Sequence, residues 1–115
     1  AAIVREAGRD REAMSRFRGL AMSGPSAAKA PQSHRAAIYH AGQLALDDSQ
    51  ASLQTYAELL DEHIATWPNG SEVDQVRWQL GNLRRHQSDW PGAVAAYRAV
   101  STGFIEFDRV VEAAT

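Results

Sequence analysis

Val76-Arg77-Trp78-Gln79-Leu80-Gly81-Asn82-Leu83, followed after Asp89-Trp90-Pro91-Gly92 by Ala93-Val94-Ala95-Ala96-Tyr97, is the stretch whose reading decides the fold. Apolar residues at 73, 76, 80 and 83, with Trp78 on the flank, fit one face of a 3.6-residue helix. Pro91-Gly92 belongs between two helices, because proline is tolerated in a first turn and not in an interior. Ala93, Val94, Ala96, Tyr97 and Val100 supply a second apolar run. The pattern predicts a helix hairpin. Gly81 and Ala93 lack bulk where two backbones must approach, while Leu80, Trp90 and Tyr97 fill the space around them.

Upstream, Trp67-Pro68-Asn69-Gly70-Ser71 is a stop and restart. A residue before proline leaves the helical region, Asn-Gly turns readily, and Ser71 is placed to cap the next helix, with Asp74 completing a weak capping box. Residues 50–66 read as a helix marked by Leu53, Tyr56, Ala57, Leu60 and Ile64. Residues 34–47 read as another, with Ala37, Ile38, Ala41, Leu44 and Ala45 on one face. Gly42 in its middle implies a close packing contact, since glycine there costs about 1 kcal/mol in propensity. Residues 23–33, with two prolines and three serines, read as a loop that ends at a capping Ser33. Residues 1–22 form an Arg-rich helix in which Gly8 is a candidate break, and 104–115 carry one more apolar face.

The pair over residues 72–101 resembles a tetratricopeptide repeat. Leu80-Gly81, Ala93 and Tyr97 fall on that family's packing places, and Trp90 takes an aromatic position near the turn. Arg77 and Arg84 stand where the family has Trp and Tyr. Gly8, Ala13, Phe17, Leu20 and Pro25 match the second half of such a repeat, and Ser52, Tyr56 and Leu59-Leu60 match it again. The second-helix aromatics Phe17, Tyr56 and Tyr97 are 39 and 41 residues apart, longer than the nominal period of about 34. The resemblance implies an all-α, right-handed solenoid of antiparallel helix pairs in one domain over 1–115. It would comprise the second helix of a repeat (1–22), pairs over 34–66 and 72–101, and a further or capping helix over 104–115. The chain would then begin inside a repeat, as a fragment of something longer. A generic helical solenoid or small helical bundle is the alternative, because the period is irregular.

Composition narrows the function. A chain of 115 residues holds one domain at most, with a modest core. No window approaches 18 apolar residues in a row, so no membrane insertion is expected. The net charge of -2, with acidic residues diluting the Arg5–Arg18 cluster, leaves no stripe for phosphate backbones and no nucleic-acid partner. Absent cysteine removes disulfides, thiol chemistry and cysteine metal sites.

His34, His40, His63 and His86 form no close ligand cluster in sequence. Glu58 and Glu62 make an i,i+4 like-charge pair on an expected solvent face, and the neighbours Asp47-Asp48 and Asp61-Glu62 do not converge on one space. Ser26-Ala27-Ala28-Lys29 has the spacing of a serine nucleophile motif but sits in a loop, without partner motifs. No catalytic, cofactor-binding or metal residue is assigned, and the chain is not expected to be an enzyme.

Surface shape remains. The family's inner face, carried onto the third pair, comprises Gln75, Trp78, Asn82, Arg85 and His86. An aromatic anchor beside amide and basic donors suits a protein or peptide segment in a concave groove. Docking predicts an exposed Trp78 in an open groove. A purely structural, self-associating spacer beside a functional domain elsewhere predicts a buried one. The apolar faces at Phe104, Phe107 and Val111, or at Ile3 and Phe17, would cover each other in a homodimer.

Overall fold

Helix dominates residues 2–100, the part of the chain that the computed structural model describes, with side chains from residue 8 onward. These residues are all-α and contain no strand. None of their helices is long and apolar enough to cross a membrane. The chain forms two compact units, residues 1–68 and 69–115. The expected helix over 104–115, with Phe104, Phe107 and Val111, lies outside the described residues, as does the side chain of Ile3.

The first unit contains α1 (Ala2–Ser23), α2 (Ala30–Leu44) and α3 (Gln50–Thr66). Gly8 does not interrupt α1. Starting at Ala30 rather than near 34, α2 leaves a connection of only six residues. Pro31 explains the difference. It stands in the first turn of α2, where no intrahelical N–H is needed, so the proline opens the helix instead of excluding it. The N-cap position is Lys29 and has no side-chain cap, so Ser33 is not the cap expected of it.

Between α2 and α3 the backbone tightens into a 3-10 turn over Ala45–Asp47 and passes through Asp48 in the left-handed region, φ 59°. Ser49 then caps α3: its hydroxyl accepts from the Ser52 N–H at 3.2 Å, while its own N–H donates to Asp47 at 2.8 Å. α2 packs on both neighbours. Ala37 and Ala41, one turn apart and buried, let a neighbouring backbone come close, and Ile38 and Leu60 fill the centre. Phe17, expected on an exposed terminal stripe, stacks on His40 of α2 with centroids 5.9 Å apart.

The second unit contains α4 (Val73–His86) and α5 (Trp90–Arg98). Their three-residue connection makes them a hairpin. At the end of α4, Ser88 takes φ 60°. The Asp89 N–H reaches back to the Arg84 carbonyl at 2.8 Å and the Ser88 N–H to the Arg85 carbonyl at 3.0 Å, a Schellman closure with serine in place of glycine. Asp89 then caps α5 through the Gly92 N–H at 3.0 Å, with Pro91 in the first turn. One residue closes one helix and opens the next. Ser71 plays no such part for α4, whose N-cap position is Glu72, with no side-chain cap.

Two glycines at similar places in the two hairpins have different reasons to be there. A methyl at Gly81 would run into Cε1 and Cδ1 of Tyr97. A methyl at Gly42 would meet Tyr56 at 3.5 Å, an ordinary contact, so the close approach expected there is absent. Gly42→Ala is therefore expected to stabilise the protein by about 1 kcal/mol through helix propensity. Gly81→Ala is expected to destabilise it, because overpacking at about 1–3 kcal/mol outweighs the same propensity gain. Urea denaturation of the two variants beside the parent protein checks the opposite signs.

Candidate functional site

The 3.6-residue period of α4 sets Gln75, Trp78, Asn82 and the Arg85-His86 pair along one side of the helix. Trp78 is half-buried, and its ring lies 5.2 Å from the Tyr97 ring of α5, tilted by 50°. The Tyr97 hydroxyl donates to Asn82 Oδ1 at 2.6 Å. Burial pushes the Tyr97 phenol upward and the nearby Arg85 charge opposes it. Trp78 and Asn82 thus meet one aromatic ring, Tyr97, which the sequence pattern assigned to packing, and Arg85 follows one turn beyond Asn82. Gln75, Arg85 and His86 are exposed. Arg84, Arg85 and His86 form the last turn of α4, where cations face the negative end of the helix dipole.

A second constellation lies in the first unit. His34 of α2 and His63 of α3 are both wholly buried, with their Nδ1 atoms 3.2 Å apart. His34 Nε2 meets Glu62 Oε1 at 2.7 Å. Glu62 in turn receives both arms of the Arg18 guanidinium of α1, at 2.9 and 2.6 Å. Trp67, just past α3, packs its ring on His34 at 5.2 Å and His63 at 4.9 Å, and its indole N–H donates to the Pro25 carbonyl at 2.9 Å. All three helices and the α1–α2 connection converge on this chain of contacts.

Proton positions follow from the partners. An ionised Glu62 accepts, so His34 carries its proton on Nε2 and leaves Nδ1 as an acceptor. His63 then donates from Nδ1. The result is a continuous run, Arg18 to Glu62, His34 to Glu62, His63 to His34. The bidentate Arg18 bond holds the Glu62 carboxyl below its ordinary value; burial opposes this and the His34 bond assists. Beside the ion pair, α1 and α3 leave an open cleft of about 290 Å³, lined by Met14, Arg18 and Gly19 on one side and Glu58, Leu59 and Glu62 on the other. Among the described residues no three His, Asp or Glu side chains are grouped to hold a metal ion.

Glu62 does not stand on a solvent face as expected: its side chain is 22% exposed and is engaged from two helices. Glu58, its presumed like-charge partner, is exposed and accepts from Gln54 at 3.2 Å. The members of the histidine pair are 29 residues apart, so no short ligand spacing marks them. Periodicity contained the signal. His34 continues the stripe of Ala37 and Ala41, and His63 and Trp67 continue that of Tyr56 and Leu60.

No family model matches the sequence, and neither the curated proteins nor the solved structures give a match.

The depressed Glu62 carboxyl fixes a pH effect. Its stabilisation is complete above the unfolded value of 4.5 and is lost as pH falls through the lower folded value. Arg18→Met is expected to cost about 1 kcal/mol at pH 6 and to reduce the further loss of stability between pH 5 and 3. Urea midpoints measured across that range, for parent and variant, give the comparison.

Proposed function

We propose that this chain is a non-catalytic docking module, built of helix pairs similar to tetratricopeptide repeats, that binds a peptide segment along α4 of the second unit. The observation that carries this reading is the contact of Trp78 and Asn82 with Tyr97, with Arg85 one turn beyond Asn82 on the same side of α4. It combines aromatic area, an amide that can meet a partner's backbone and a guanidinium that can fork onto a carboxylate. The cationic last turn of α4 favours a ligand that pairs an apolar or aromatic anchor with Asp or Glu.

A spacer that self-associates is the second reading. It is favoured by the exposure of Trp90 and Val94, one turn apart on α5, at 59% and 47%. It also accommodates Trp78 as a packing residue beneath Tyr97.

Selection of a displayed peptide library against the intact chain distinguishes the two. Docking predicts enrichment of peptides with an aromatic or aliphatic anchor flanked by acidic residues. It further predicts that Arg85→Glu weakens them about tenfold or more, as expected for loss of a charge-assisted contact of about 1.5–3 kcal/mol, with only a small drop in the thermal midpoint from the reversed charge at the end of α4. Enriched peptides indifferent to Arg85→Glu, or none at all, would remove the docking reading. A concentration-dependent dimer abolished by Trp90→Ser would then support the spacer.

A further inference from the structure

We propose that the His34–His63 pair is a proton-counting latch, which holds the Trp67 end of the first unit at neutral pH and releases it on mild acidification. The geometry limits how many protons the folded pair can carry. With Nδ1 atoms 3.2 Å apart, one proton, and only one, fits between them as a hydrogen bond. The neutral pair meets this condition. So does a pair with one added proton, since either ring can be the cation while a single N–H still points at the other's lone pair. A second added proton sets two N–H groups against each other and breaks the contact.

Charge acts in the same direction. Glu62 from α3 meets His34 directly and Arg18 from α1 reaches Glu62, with Glu58 further along the same cleft. A second added proton would also set two like charges in contact in a site without solvent exposure. The folded pair therefore binds one added proton or none, whereas two unfolded imidazoles bind two once the pH is well below about 6.5. Opening takes up one to two protons, and its equilibrium constant rises about tenfold to a hundredfold per pH unit below about pH 6.

Trp67 is the element that the latch restrains. Its ring rests on both imidazoles and its N–H reaches the α1–α2 connection, so loss of the pair removes the support of all three of these contacts. The pH window lies above that of Glu62, whose contribution is lost only below 4.5. The two effects are separable.

The test uses the whole chain, labelled with ¹⁵N. Urea unfolding is followed between pH 7.5 and 5 through the Trp67 indole N–H signal, while the imidazole nitrogens report protonation of the folded state. The expected result is a tenfold or steeper rise in the opening constant per pH unit below pH 6, with the Trp67 signal leaving its bonded position in the same transition. His63→Gln is expected to flatten that slope, and His86→Gln, in the other unit, to leave it unchanged. If His63→Gln does not fold, the imidazole signals of the parent chain decide. Two rings that each protonate fully while the Trp67 signal stays in place would overturn the proposal, as would a slope that His63→Gln leaves intact.

Discussion

Two imidazoles meet at the centre of the first unit, where a three-helix core would ordinarily place Leu or Ile, and their hydrogen bonds set the terms for everything packed around them. A buried polar ring is tolerated only with partners. Here the partners come from every element of the unit: His63 for His34, Glu62 for the other nitrogen of His34, Arg18 for Glu62, and Trp67 over both rings. Removing one member would leave another buried without its partner. Apolar packing alone would be more forgiving, because a methyl group does not require a specific neighbour.

The second unit relies on different physics. Its hairpin depends on Asp89, whose N–H completes the end of α4 and whose carboxylate starts α5. Its interior depends on Gly81, which leaves room for the Tyr97 ring. That ring then organises Trp78 and Asn82 on the side of α4 where recognition is proposed. Packing and presentation are done by the same residues, so an aromatic at such a place serves the fold whether or not it also serves a partner. Arg85, exposed and dispensable to the core, is the residue on which the two roles separate.

The two units therefore differ in the groups that hold them. The second is held by the Asp89 carboxylate cap, the backbone closure of α4 and a neutral Tyr–Asn bond. The first is held by a carboxylate, a guanidinium and two imidazoles. Its ionisable members are joined in one run across three helices, whereas those of the second unit act at helix ends and on the surface.

Local sequence determined the helices, and most of their ends. Pro68 after Trp67, Pro91 behind Asp89 and the apolar periods over 50–66 and 73–83 act through neighbours a few residues away, so they can be read from the chain directly. The same locality explains the errors: Pro31 can open a helix or exclude one, and only packing of Ala30 and His34 into the core selected the first. Glu62 and the histidines show the limit more sharply. Nothing within a turn of Glu62 indicates that Arg18, 44 residues earlier, will fork onto it, or that His34 will share one of its oxygens. An ionisable residue's role is set by what lies within a few ångströms, and for residues far apart in sequence only the tertiary fold decides that distance.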